Sequence, residues 1–181
     1  MVNGQQRARG IVAVVLFSGM FCVATSNAIA QDQERSSFLG SIAKQVVLDP
    51  TTYAPAIIAY DATVRDWNTS QPFFKNGFVE HNARFTISGK SNDVPVPYGV
   101  GQKRILVDAV TNLGMSTLNN FTTRVFERVL LDRYPEHRKA VKVASWVERI
   151  SFGVYMSYML SKDHYRQAEL NATRARQLGY R

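Results

Sequence analysis

The sequence predicts an all-α fold, a bundle of four to five helices with one irregular segment at about residues 76–101. Two observations support this prediction. Apolar residues recur at three- and four-residue steps along most of the chain, which is the spacing of one helix face. In the irregular segment this period disappears, and glycines, prolines and short polar residues take its place. Strand alternation is scarce throughout, so no extended sheet is expected.

The N-terminal segment, residues 1–30, has the three zones of a secretory signal peptide. Two arginines precede an uncharged apolar stretch at residues 11–24, and a small-residue A-x-A triplet follows at residues 28–30. The apolar stretch is shorter than the roughly 20 residues that cross a bilayer core. We therefore expect an exported, periplasmic or extracellular protein with a single helical domain at residues 31–181. The alternative is a retained segment that anchors this domain to the membrane.

The cysteine content indicates how the exported domain is stabilised, and its net charge indicates which partners it binds. Cys22 is the only cysteine, and it lies in the signal segment, so the domain must fold without disulfides. The chain has 22 Lys and Arg against 14 Asp and Glu, and losing two N-terminal arginines leaves 20 against 14, or +6. These cations are scattered, and export argues against a nucleic-acid partner. An anionic lipid surface or an envelope protein fits the compartment better.

Two helices are predicted before the irregular segment. The first follows Ser36 or Ser37 and ends near Val47. The second begins with Asp49 as the N-cap and Pro50 at the first helical position, a pairing typical of helix starts. Its aromatic and apolar residues step by four and three and predict a stripe that faces the core: Tyr53, Ile57, Tyr60, Val64 and Trp67. This pattern breaks at residues 68–71, and Pro72 then predicts a separate short turn that Gly77 closes.

Two long helices are predicted after the irregular segment. The first runs from about Gln102 to Asp132 and has an apolar stripe opposite a polar one. The polar stripe comprises Asp108, Asn112, Ser116, Asn119 and Thr123. Pro135 separates this helix from the next, which is apolar on almost every side at residues 150–160 and ends at Gly179. A helix of that kind is buried in a core or a membrane. Neither has 18 consecutive apolar residues, so a soluble or membrane-apposed bundle is expected.

The richest group of polar side chains lies around the start of the irregular segment, interleaved with aromatic residues. The candidate binding or structural cluster comprises Asp66, Thr69, Glu80, Asn82 and Arg84. The candidates for acid–base catalysis are Asp66, Glu80, His81 and Arg84. Carboxylate and imidazole groups among aromatic rings can have the shifted pKa values that such chemistry needs. The alternative is an ion pair that only fixes the loop.

Other kinds of site lack support in the sequence. The three histidines, His81, His137 and His164, stand apart from one another, and none has a second ligand at metal-binding spacing. No serine has the G-x-S-x-G surroundings of an activated nucleophile. The glycines do not form a phosphate loop. We therefore expect no metal and no cofactor.

The spacing of Asp66, Thr69, Gly77, Glu80 and Asn82 resembles a D-x-x-T and G-x-x-E-x-N-P pattern. That pattern occurs in a group of small, uncharacterised bacterial membrane proteins with a few helices. The resemblance covers about 17 residues and ends at residue 83, where this chain has alanine and the group has proline. It implies a turn-forming role for the glutamate and the asparagine, and it supplies no reaction.

Two functions from different classes follow from these features. The first is an exported helical protein that binds or scaffolds at the cell envelope and lies on the membrane through aromatic and basic side chains. The second is a small hydrolase-like enzyme in which Glu80 or Asp66 is the general acid or base and His81 and Arg84 orient the substrate. The second requires these groups to converge at an open pocket.

Overall fold

The computed structural model describes residues 31–180 and confirms the all-α prediction for that part of the chain. Its four α-helices are α1 (Gln31–Val47), α2 (Pro50–Lys75), α3 (Tyr98–Arg133) and α4 (Arg138–Gln177). The predicted signal peptide lies outside the described residues. Most of the described residues belong to one compact unit, Leu39–Arg181.

Helices α2, α3 and α4 pack into a three-helix bundle. Helix α3 runs antiparallel to α2, since Trp67 near the end of α2 donates to the carbonyl of Tyr98 at the start of α3, with 3.3 Å between Nε1 and O. At the other end, Asn120 of α3 donates to the Thr52 hydroxyl at 2.7 Å. Helix α4 runs parallel to α2, and Gly153 lies beside the first turn of α2.

The start of α2 is the one that the sequence predicts. Asp49 is the N-cap, and its carboxylate accepts from the backbone N–H of Thr51 at 3.1 Å. Pro50 occupies the first helical position, where its missing N–H costs nothing. The predicted break at residues 68–71 is wrong, because α2 continues through Pro72 to Lys75. Within this stretch the side chains of Thr69, Ser70 and Gln71 donate to the carbonyls of Asp66 and Trp67 in the preceding turn.

The predicted core stripes are largely reversed in α3. Apolar Leu106, Val110 and Leu118 are each more than half exposed, whereas Ser116 and Asn112 of the polar stripe are buried. Small and polar side chains let the helices approach closely, as they do at helix interfaces in membranes. The predicted core stripe of α2 is also wrong in part. Tyr53, Ile57 and Tyr60 are 37 %, 64 % and 39 % exposed. At the end of the stripe Trp67 is 4 % exposed and reaches the core.

An uncharged belt surrounds the middle of the bundle. No Asp, Glu, Lys or Arg occurs at residues 50–60 of α2, 109–123 of α3 or 150–161 of α4. These stretches lie side by side because Asn120 and Gly153 both contact the first turn of α2. The large side chains of the belt point outward: Ile57, Val110, Leu118, Val154, Tyr155 and Tyr158. At 1.5 Å per residue the belt is about 16 to 22 Å tall.

A search for membrane spans gives a negative result for the described helices. None of them combines the length and hydropathy that crossing a bilayer requires.

The irregular segment between α2 and α3 is confirmed. It contains a 3-10 turn, Ala83–Phe85, and two isolated antiparallel bridges that pair Glu80 with Asp93 and Thr86 with Pro95. Phe85 is buried against the bundle, so the loop is tied down by its apolar residues.

Candidate functional site

An open cleft of about 470 Å³ lies where the irregular segment crosses α2 and the last third of α4. Three kinds of side chain line it: carboxylates and imidazoles, amides, and aromatic rings. The acidic and basic members are Asp66, Glu80, His81, Asp163 and His164. The cleft therefore collects titratable groups from three separate parts of the chain.

The central contact of the cleft joins Asp66 of α2 to His164 of α4. The distance between His164 Nδ1 and Asp66 Oδ2 is 2.7 Å, and the two side chains are 32 % and 19 % exposed. An ionised carboxylate only accepts, so Nδ1 carries the proton in this bond and Nε2 is the basic nitrogen. An aspartate that fixes an imidazole tautomer in this way is the orienting half of many acid–base sites.

Amide and hydroxyl groups extend this contact along the helices. Asn171, two turns beyond His164 on α4, donates to the Ser70 hydroxyl at 2.9 Å and approaches the second oxygen of Asp66 at 3.5 Å. The carboxylate is therefore held from two positions on α4. This arrangement limits its rotation and keeps the imidazole in one orientation.

Glu80 brings a second carboxyl group to the cleft from the irregular segment. Burial raises the pKa of Glu80 above its ordinary value, and the negative charge of Asp66 raises it further. The backbone N–H of Asn82 donates to the Glu80 carboxylate at 2.6 Å and opposes this shift in part. The bridge to Asp93 fixes the backbone of Glu80, with N···O distances of 2.8 and 3.2 Å. One carboxyl group thus has a raised pKa, and it lies in the same cleft as another carboxyl group that is hydrogen-bonded to imidazole.

Aromatic rings form the floor of the cleft and join it to the core. Trp67 packs on Phe74 and Phe85, with ring centroids 5.6 and 5.2 Å apart. Gly101 of α3 lies against the indole, and a Cβ at that position would collide with the ring. The glycine therefore allows α3 to approach α2 closely at this level.

The candidate residues from the sequence divide into two groups. Asp66, Glu80, His81 and Asn82 all line the cleft. Asn82 also caps the 3-10 turn, and its side chain accepts from the N–H of residue 84 at 3.1 Å.

Arg84 and Thr69 are not among the residues that line the cleft. Arg84 pairs with Asp108 at an exposed position on α3. The Thr69 hydroxyl donates to carbonyls of its own helix, at 2.9 Å to Arg65 and 3.1 Å to Asp66. The structure therefore does not bring Arg84 to the cleft, where the expected substrate-orienting role would place it.

His164 and Asn171 are the cleft residues that sequence reasoning missed. In the sequence His164 stands without a second ligand at metal-binding spacing, and no neighbouring residue marks Asn171 as part of a site. The available signal is their spacing of seven residues, beside Ala168 and Ala175, which have the same spacing and are buried. Residues seven apart share a helix face, so this pattern places both polar residues at the edge of the packed face.

A second polar cluster lies at the opposite end of the belt. Asp49 accepts from Arg124 at 3.1 Å and from Arg149 at 2.9 Å, and Glu127 lies 3.3 Å from each of the two guanidiniums. Ser145 donates to the same glutamate at 2.6 Å. We call these residues the ion cluster. The exposed fraction is 5 % for the Arg149 side chain and 10 % for that of Asp49, so the cluster is nearly closed to water.

The pKa of Asp49 reflects this environment. Burial by itself raises the pKa, yet hydrogen bonds from Thr51 and the charges of Arg149 and Arg124 outweigh burial and hold it below the ordinary 3.8. The carboxylate is therefore ionised in the fold at neutral pH.

The described residues contain no group of three or more His, Cys, Asp or Glu side chains arranged to hold a metal ion. Comparison with known proteins adds no relative: no family model matches the chain, and neither the curated proteins nor the solved structures contain a match.

Proposed function

We propose that the protein is a small hydrolase-like enzyme whose active site is the cleft. In this proposal His164, oriented by Asp66, is the general base, and Glu80 is the general acid. The observation that carries the proposal is the 2.7 Å contact between His164 and Asp66 in an open cleft that Glu80 also lines. Glu80, whose pKa is raised by burial, supplies the second titratable group that an acid–base pair requires.

The proposed step is hydrolysis of a C–O bond. His164 Nε2 takes a proton from water as the water oxygen attacks carbon, and protonated Glu80 gives its proton to the leaving oxygen. Solvent then carries the proton from the imidazolium back to the glutamate. The elevated pKa of Glu80 supports the acid role, because it keeps more of the carboxyl group protonated.

The walls of the cleft favour a substrate with both polar edges and an apolar face. Aromatic rings supply flat surfaces, and the amides of Asn82, Gln167 and Asn171 supply donors and acceptors. Sugars combine these two features, so glycosides are the first substrate class to examine.

The experiment measures release of p-nitrophenol from p-nitrophenyl glycosides and p-nitrophenyl esters. Activity above the buffer rate is expected for at least one probe, with a loss of about 100-fold or more in His164→Asn and a smaller loss in Glu80→Gln, because p-nitrophenolate leaves with little need of a proton. His137→Asn and Glu136→Gln are matched controls, because both residues are exposed in the turn between α3 and α4. Equal rates in the cleft and control variants, or no turnover of any probe, would contradict the proposal.

The uncharged belt supports a second function, attachment to an anionic lipid surface at the cell envelope. Soluble proteins seldom expose so many large apolar side chains in one zone, and such zones mark contact with partners or lipid. Cations lie just beyond the belt at one end: Arg128, Arg133, Arg138, Lys139 and Lys142. These charges complement acidic headgroups when the belt contacts the acyl boundary. This function and the enzyme are compatible.

Flotation with vesicles of phosphatidylglycerol and phosphatidylcholine tests attachment. Leu118→Gln with Val154→Gln removes two belt side chains, and we expect binding to weaken at least tenfold, since each buried side chain contributes about 1.5 to 3 kcal/mol. Ile87→Gln with Leu170→Gln is the control, because these residues are comparably exposed outside the belt. All variants keep residues 11–24, so any lipid affinity of that segment cancels. Equal flotation of the two double variants would argue against the belt.

A further inference from the structure

A second cavity, also of about 470 Å³, opens beside the ion cluster. It lies between the last turns of α1, the carboxyl-terminal part of α3 and the first turns of α4. Five cationic side chains line it: Arg124, Arg128, Arg138, Lys142 and Arg149. We call it the basic cavity. Glu127 is the only carboxylate among its lining residues.

The charges of the basic cavity do not balance. Glu127 and the adjacent Asp49 are both engaged by Arg124 and Arg149, so the two inner cations and the two carboxylates form a neutral group. Three outer cations remain. Arg128 forms an exposed ion pair with Asp132, with 3.6 Å between Nε and Oδ2.

Arg138 and Lys142 have no ion pair among the described residues. They lie one turn apart on α4 and therefore share a face of that helix. Two uncompensated cations then line the same cavity, which favours a dianionic ligand over a neutral one.

The inner wall also has unused hydrogen-bonding capacity. The Nε atom of Arg124 is buried and has no hydrogen-bond partner among residues 31–180. A buried donor without an acceptor is costly, and natural proteins usually satisfy such groups with protein, water or a ligand. An oxygen atom of a ligand in the basic cavity is one such acceptor.

We propose that the basic cavity binds a phosphate group. Guanidinium groups match phosphate oxygens in two-point geometry, and a lysine adds a mobile charge. The exposed ring of Trp146 lines the same cavity and gives a flat apolar surface beside the phosphate position. This proposal does not depend on the enzymatic role of the cleft at the other end of the belt.

The phosphate can belong to a free molecule or to a lipid headgroup. The position of the cavity suits the second source, because the ion cluster beside it marks the end of all three uncharged stretches. Residues 49, 124 and 149 are the first charges beyond them. Two arms of one experiment distinguish these sources.

The first arm titrates the full chain with inorganic phosphate at constant ionic strength, with chloride as the reference anion. The readout is the NMR signal of the Trp146 indole N–H. The sequence has two tryptophans, so Trp146→Phe identifies this signal. The second arm measures binding to phosphatidylglycerol and phosphatidylcholine vesicles against vesicles of phosphatidylcholine alone.

The test variant is Arg138→Gln with Lys142→Gln, and the matched control is Arg133→Gln with Lys139→Gln. All four residues are exposed and the two pairs remove the same charge, but the control pair does not line the basic cavity. The test variant is expected to weaken binding about 30-fold, because it removes two cations that contact the phosphate directly, whereas surface charge elsewhere only attracts it from a distance. The control pair should weaken it much less.

A saturable response to inorganic phosphate that the test variant selectively loses supports a free phosphate ligand. Selective loss in the vesicle arm alone supports a headgroup phosphate. Equal losses in the two double variants in both arms would overturn the proposal, because they indicate diffuse surface charge. Absence of binding in both arms would overturn it as well.

Discussion

The ion cluster and the cleft place the same kinds of side chain in opposite situations. Asp49 is surrounded by two guanidiniums and a hydroxyl, and little of it reaches water. Asp66 has a single imidazole partner and an open cleft beside it. The charges of the ion cluster pair with one another and hold three helix segments together. The cleft leaves a basic nitrogen and a second carboxyl group available for a ligand.

The pKa values of Asp49 in the ion cluster and Glu80 in the cleft shift in opposite directions, because the charges around the two carboxyl groups differ. Arginine charges and hydrogen bonds hold the pKa of Asp49 low, so this carboxylate stabilises the fold when ionised. Burial and a neighbouring carboxylate hold the pKa of Glu80 high, so ionised Glu80 costs stability. A group that costs stability in the fold is a better candidate for function than one that contributes to it.

Asp49→Asn should have the largest effect on stability. Asparagine preserves the N-cap, so the change removes mainly the charge and leaves Arg149 and Arg124 with one carboxylate. We expect a loss of about 3 kcal/mol in the free energy of unfolding at neutral pH, measured by urea denaturation. Because the folded pKa is depressed, the difference should shrink as pH falls below 3.8.

Asp61→Asn is the control for this change. Asp61 pairs with Arg65 at an exposed position, so less than about 1 kcal/mol should be lost. Equal effects of the two substitutions would show that burial of the ion cluster is not what makes it stabilising.

Gly101→Ala should have the next largest effect, and it acts on the cleft side of the comparison. The added methyl group meets the Trp67 ring, so α3 must move away from α2 at a cost of about 1 to 3 kcal/mol. Gly114→Ala in the same helix has open space and should stabilise by about 1 kcal/mol. Thermal unfolding measures both changes. A stabilised Gly101→Ala variant would contradict the close packing under the cleft.

Glu80→Gln should give a smaller effect of the opposite sign. The folded pKa of Glu80 is raised, so the native state binds more protons than the unfolded state between the two pKa values, and wild-type stability falls as pH rises through this interval. Glutamine keeps the acceptor for the Asn82 N–H and lacks the charge. The variant should therefore be more stable than the wild type at neutral pH, and the two should converge in acid. Urea denaturation at several pH values measures the difference.

His164→Asn should change stability least. The contact between His164 and Asp66 is partly exposed, so we expect a loss below about 1 kcal/mol, together with the loss of activity described above. A large loss of stability in this variant would show that the pair, like the ion cluster, is a structural contact.

The local signals of the sequence were sufficient for most helices. The Asp49 and Pro50 pair marked the start of α2, and Gly179, with a φ of +69°, follows the end of α4 near the predicted stop. The predicted break before Pro72 is wrong because a proline usually ends a helix, whereas α2 continues through this one to Lys75. These two helix ends depend on residues adjacent in sequence, and for this reason they could be predicted.

Which helix faces pack together could not be read from hydropathy. Ser116 and Asn120 are buried while Leu118 between them is exposed, the reverse of the usual amphipathic pattern. The partners that make burial of Asn120 favourable are Thr51 and Thr52, nearly 70 residues away in sequence. Local periodicity contains no information about such partners.

The candidate site was predictable only in part for the same reason. Asp66 and Glu80 are close in sequence and lie among aromatic residues, which drew attention to both. His164 is 98 residues from Asp66, and only the parallel packing of α2 and α4 brings them together. Arg84 was close in sequence yet found its partner on α3.

The most direct test of the cleft is a pH titration of the Glu80 side-chain carboxyl signal by NMR, in the wild type and in Asp66→Asn. We expect a raised pKa for Glu80 in the wild type and a value closer to the ordinary one when the charge of Asp66 is removed. An ordinary pKa that is the same in both proteins would contradict the claim that these two carboxyl groups share one site.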